Sequence, residues 1–131
     1  MKRIKLLPLL LSLLLLFSLL SACASPKYAM TEQHEKFGRK ALEIADAYLD
    51  FEISAEEAYQ KLSDLYDAKD TLPEGTSDQK TGNVLVESEV FLLQSAFYGA
   101  KMKSSGFATA VGSDVLERRN TLAETLGVKA R

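Results

Sequence analysis

The chain has 131 residues, with 16 basic against 18 acidic side chains, one histidine and one cysteine. That length holds one domain with a modest core, and a single cysteine excludes an internal disulfide framework. Glu43–Glu89 carries 13 acids against three bases, and this acidic middle argues against nucleic acid as a partner, because phosphate contacts need a basic face.

The first 23 residues form a distinct unit. Lys2, Arg3 and Lys5 make the start basic, and Leu6–Leu20 is almost wholly apolar. A spanning helix needs about 20 apolar residues, so this run of 15 is short for one. The basic start favours the cytoplasmic side. Together these features fit a processed signal peptide.

The run ends in Leu20-Ser21-Ala22-Cys23. This tetrapeptide, at the end of a charged-then-apolar leader, resembles the lipobox of bacterial lipoprotein signal peptides. The resemblance implies cleavage before Cys23 by a type II signal peptidase. It also implies diacylglycerol on the Cys23 sulfur and acyl chains of the palmitate type. The chain would then sit on the extracytoplasmic face of a cell membrane, or on an outer membrane where the cell has one. A lone thiol in an oxidising compartment would otherwise be reactive. Two or three acyl chains, at about 0.8 kcal/mol per buried CH₂, anchor stably where one is marginal.

Residues 23–131 then carry 13 bases against 18 acids. Residues 23–30 read as the lipidated cysteine and a tether, of which residues 24–30 reach at most about 25 Å when fully extended. Lys27, Lys36, Arg39 and Lys40 lie near the anchored end, where they can meet anionic headgroups or simply face water.

The first helix is predicted from Thr31, its N-cap, to Phe51. Phe37, Ala41, Ile44, Ala45, Tyr48 and Phe51 recur at steps of three and four and define its inner face. His34 is expected on the surface, since no spacing supplies it with partners for a metal site or a Ser-His dyad.

Ser54-Ala55-Glu56-Glu57 is a capping box that opens a second helix to about Lys69. Ala55, Ala58, Tyr59, Leu62, Leu65 and Tyr66 form its apolar stripe. Tyr48, Tyr59 and Tyr66 are expected between helices 1 and 2. Asp64, Asp67 and Asp70 read as a solvated acidic face, because the glycine and terminal glutamate of a calcium loop are absent.

Pro73 and Gly75 mark a turn-rich loop. A third helix starts between Ser77 and Asn83 and runs to about Ser104. Val86, Val90, Leu93, Phe97 and Ala100 share one face, Leu85, Leu92, Ala96 and Gly99 lie beside it, and Phe91, Tyr98 and Met102 make a third strip. A surface this broad suits a central helix, or one strip left open for a partner. The fourth helix is predicted from Asp114 to about Leu126 with Gly127 as its breaker. Val111, Val115, Leu122 and Leu126 form its stripe, and the last four residues are expected to fray.

The fold class is therefore all-α: a small antiparallel bundle of about four helices (31–131) after an N-terminal hydrophobic signal segment (1–22) and the tether. Ser77-Asp78-Gln79-Lys80 matches S-x-x-K and Lys80-Thr81-Gly82 matches K-T-G, as in penicillin-binding enzymes. The two must come from separate elements, yet here they share Lys80, so the match is chance. No nucleophile–base pair and no metal-ligand spacing is visible, so no catalytic residues, cofactor or metal are assigned. The chain is expected to be a non-catalytic helical interaction module at the cell envelope. It would be held to membrane lipid by acylated Cys23 and would bind an envelope or extracellular protein. A small-ligand or cation-binding lipoprotein is the alternative, as is a phage-type exclusion lipoprotein.

Overall fold

In the computed structural model, residues 25–103 and 111–131 are described. Leu20, Ser21, Ala22 and Cys23 lie outside them. Four α-helices account for the described chain: α1 (Glu32–Leu49), α2 (Ala55–Asp67), α3 (Lys80–Lys103) and α4 (Val111–Thr125). A 3₁₀ turn, Ala68–Thr71, extends α2.

The caps act as the sequence requires. The Thr31 hydroxyl accepts from the His34 amide at 3.1 Å, and Ser54 Oγ accepts from the Glu57 amide at 3.1 Å. Both hydroxyls satisfy amides that the helix itself leaves unpaired. Before α3, the Gln79 side chain accepts from the Thr76 amide at 2.9 Å, the return half of a capping box. The Gly112-Ser113-Asp114 triplet, read as the cap of α4, falls inside its first turns instead.

Ion pairs and ring contacts fix the directions. Lys101 near the end of α3 meets Glu56 at the start of α2, so these two are antiparallel. Thr125 at the end of α4 meets Glu89 in the first half of α3, so these two are antiparallel as well. His34 meets Glu87, and Tyr48 meets Phe97 edge-on at 5.0 Å, so α1 and α3 run the same way. The arrangement is an up-down-up-down bundle in which α3 packs against all three other helices. Its centre is made by Phe97, Leu62, Leu93, Leu122, Leu126, Val86, Val90 and Val115, all fully buried.

Three stretches pack otherwise than their sequence suggests. Residues 25–30, read as part of a tether, are docked: the Lys27 amide donates to the Thr125 carbonyl at 2.9 Å, and the Thr31 amide donates to Asn83 Oδ1 at 3.0 Å. The tyrosines do not fill the α1–α2 seam. Tyr48, Tyr59 and Tyr66 each set a ring against α3, on Phe97, Tyr98 and Phe91. The last residues do not fray, because Asn120 and Arg131 exchange two hydrogen bonds and the Arg131 guanidinium pairs with Asp46 and Asp50.

Candidate functional site

The outward face of α3 carries large apolar side chains, interrupted by the exposed Ser88 and Ser95, whose hydroxyls bond back to the Val84 and Phe91 carbonyls. Val84, Phe91, Leu92, Tyr98 and Met102 are between 39% and 61% exposed. Val84, Phe91 and Tyr98 are seven residues apart, so they line up along one side of the helix. The long rings stay partly exposed because α2 covers only one edge of them. Tyr66 stacks on Phe91 at 5.5 Å and Tyr59 on Tyr98 at 5.6 Å, both tilted. The cations of Lys69 and Lys101 stand 5.0 and 5.2 Å from the Tyr66 and Tyr59 ring centres. An aromatic floor thus runs from α2 onto α3.

Acidic side chains border that floor. Glu56, Gln60, Ser63 and Asp67 follow one another at steps of four, three and four, so they share one row of α2. The row lies beside α3, because Ser63 accepts from Gln94 at 2.9 Å and Glu56 meets Lys101 at 3.8 Å. Glu56, Asp67 and Asp70 are exposed.

A second surface feature is Phe51. It was read as the last inner residue of α1, but it is 95% exposed with φ 61°. Its amide bonds the Tyr48 carbonyl and the Glu52 amide bonds the Ala47 carbonyl. That pair of bonds is the Schellman stop, whose left-handed position normally takes glycine. The end of α4 has the same two bonds, from Gly127 and Val128, with Gly127 at φ 72°. One stop uses glycine and the other a phenylalanine that is almost fully in water. Phe51→Gly is therefore expected to stabilise the fold by about 1 kcal/mol, since glycine relieves the left-handed strain. Thermal unfolding checks this as a Tm rise on the order of 5 °C; a fall would mean the ring packs in solution.

His34 is not a surface residue. It is 2% exposed, with Nδ1 2.6 Å from Thr31 Oγ1 and Nε2 2.9 Å from Glu87 Oε1. This hydroxyl–imidazole–carboxylate chain has the order of a catalytic relay. However, Thr31 is itself buried, and its oxygen already accepts from the His34 amide. The chain of contacts links the start of α1 to α3. A cleft of about 400 Å³ opens beside it, lined among others by Lys69, Asp70, Glu74 and Lys80.

Two other buried polar groups tie helices together. Arg119 is 4% exposed and forks onto both Asp46 oxygens at 2.8 and 3.1 Å. Burial pushes the Asp46 carboxyl up, but hydrogen bonds from Arg119 and Arg131 outweigh it and hold the group below the usual aspartate value. Glu89 accepts from Thr125 at 2.8 Å between α3 and α4, and burial pushes its carboxyl above the usual glutamate value.

Asp64, Asp67 and Asp70 are solvent-exposed. Among the described residues no group of three or more histidine, cysteine or acidic side chains is arranged to hold a metal ion. No described helix is long and apolar enough to cross a membrane. No protein family, curated protein or solved structure matches this chain.

Proposed function

We propose that this chain is a lipid-anchored interaction module of a bacterial cell envelope, non-catalytic, that binds another protein through the outward face of α3. The observation that carries the binding half is the row Val84, Phe91, Leu92 and Tyr98, large apolar side chains left at least 39% exposed. Single exposed apolar residues are ordinary, but several large ones in register on one helix face, rimmed by polar groups, support an interaction site. What supports the anchor is the sequence pattern Leu20-Ser21-Ala22-Cys23 behind a basic, leucine-rich leader.

The docked segment 25–30 adds a geometric consequence. Ser25 lies against Gly127, past the end of α4, and Ala29 lies against Gly82 near the start of α3. With those residues held, only Ala24 separates Cys23 from the docked Ser25, two steps along the chain and a reach of roughly 7 Å. An acylated Cys23 would therefore hold that end of the bundle close to the lipid. The loop carrying Phe51, between α1 and α2, would face away.

Mass spectrometry of the N-terminal peptide, from chain expressed in a bacterial host and extracted from membranes, tests the anchor. The expected mass begins at Cys23 and carries two or three acyl chains. Cys23→Ala is expected to leave the leader attached or to release the protein from the membrane fraction. A bare thiol at Cys23 on wild-type protein that washes off in buffer would sink the reading.

A further inference from the structure

We infer that the partner segment is a cationic amphipathic helix, lying along α3 with its apolar side on Phe91, Leu92 and Tyr98 and its positive side over the acidic row of α2; this rests on the proposed function above.

The dimensions argue for a helix. Val84 to Tyr98 spans four turns, about 21 Å along the axis. Its side chains repeat every seven residues, which matches the apolar repeat of a second helix laid nearly parallel to it. Tyr59 and Tyr66 set their rings on Tyr98 and Phe91 and widen the apolar strip onto α2. Helix-in-groove binding uses apolar anchors at this spacing.

The charge argues for cations. Residues 50–70 hold seven acids and two bases; Glu56 and Asp70 already meet Lys101 and Lys69, and with Asp67 exposed beside them on α2 the edge of the strip stays net acidic. Lysines or arginines flanking the apolar side of a docked helix would meet that edge. The same charges count against other occupants. A second copy facing this one across the strip brings α2 against either α2 or α4 of its neighbour. The exposed charged residues of α4 include Asp114, Glu117 and Glu124, so acid meets acid in both arrangements. An anionic lipid surface pressed on the strip meets the same repulsion.

The test uses the full chain in nanodiscs of zwitterionic lipid. The probe is a labelled leucine/lysine model peptide of about 18 residues, long enough to hold a helix. Two comparison peptides are a leucine/glutamate version and a leucine/lysine peptide of scrambled order. Fluorescence anisotropy, corrected for empty nanodiscs, is expected to show saturable binding of the first peptide only. Phe91→Ser should weaken it roughly tenfold through lost apolar contact. Asp67→Lys/Asp70→Lys should weaken it roughly tenfold and let the glutamate peptide bind. Glu43→Lys/Glu117→Lys makes the same charge change on exposed sites of α1 and α4 and should shift binding less than about twofold.

No binding above empty nanodiscs overturns the inference. So does an equal loss in the α1/α4 control, which would mean unspecific attraction. Self-association of the chain in sedimentation that Phe91→Ser abolishes would assign the strip to a second copy. Insertion of Phe91 and Tyr98 into anionic lipid would assign it to a membrane. The N-terminal mass, measured on the same preparation, reports the anchor separately. Failed peptide binding with acylated Cys23 therefore removes this inference and leaves the lipid-anchored reading standing.

Discussion

Arg119→Met is expected to lower the unfolding free energy by about 3 kcal/mol, with a Tm fall on the order of 15 °C. The guanidinium is buried and answers four acceptors at once: both oxygens of Asp46, the Lys129 carbonyl and Asn120 Oδ1, at 2.8, 3.1, 2.8 and 3.2 Å. Methionine fills much of the volume but answers none of them. Breaking one side of a buried pair costs more than the pair contributes, because the remaining charge keeps its desolvation penalty. Asp46 is one-third exposed and retains Arg131, so the cost falls at the low end of that range. Arg119→Lys is expected to recover less than half of the loss, since one ammonium cannot reproduce the planar fork.

The same pair sets an acid limb. Asp46 titrates below its usual value in the fold. Its contribution is therefore present above the unfolded aspartate value and is lost as pH falls through the depressed folded value. Denaturant unfolding of the wild type should show falling stability in that window, and Arg119→Met should show a shallower fall. An unchanged acid slope together with a small Tm change would mean that Arg119 contributes little beyond its packed stem.

How much of this was legible depended on how local the cause is. Thr31, Ser54 and Gly127 end or begin helices through bonds to residues three to five positions away, and each was readable from its neighbours alone. The four-helix, all-α architecture followed from the same periodicity. Phe51 was misplaced because it continues a perfect three-and-four spacing from Phe37. Only a glycine would have marked the stop, and the chain spends a phenylalanine there.

His34, Glu89 and Arg119 depend on partners 53, 36 and 73 residues away, which no local pattern supplies. Yet each occupies a position on an apolar stripe. His34 precedes Phe37 by three. Glu89 lies three after Val86 and four before Leu93. Arg119 lies between Val115 and Leu122. A single ionisable residue in register with a buried face is the signal of a buried polar link between helices, and it was present three times. The α3 strip was legible as a choice between a central helix and a partner surface. The structure makes α3 central and still leaves the strip exposed, because a helix with three neighbours has a fourth side.

The second large effect is expected from Gly82→Ala. A Cβ there would stand 2.1 Å from the Ala29 carbonyl oxygen, well inside any real contact. Neither side yields easily, since both are backbone, so the chain has two responses. It can strain α3, which the bundle core resists, or it can release residues 25–30. Release forfeits the Lys27–Thr125, Thr31–Asn83 and Gln79–Met30 hydrogen bonds. At about 1 kcal/mol each, this caps the loss near 3 kcal/mol. Release is the cheaper response, because those bonds lie at the edge of the body while strain in α3 would disturb Val86 and Val90 in its core. Gly82→Ala should therefore keep its helical circular dichroism, lose up to about 3 kcal/mol, and be cut by trypsin after Lys27 faster than the wild type, whose docked segment is expected to resist. Loss of helix, or continued protection of Lys27, would refute the undocking. The consequence reaches the proposed function, because an undocked segment restores a free tether of seven residues. In a membrane-held chain the body would then stand up to about 25 Å from the lipid, no longer resting on it. The docking itself depends on two glycines, Gly82 in α3 and Gly127 just past α4, which let the Ala29 and Ser25 carbonyls lie directly on the backbone they meet.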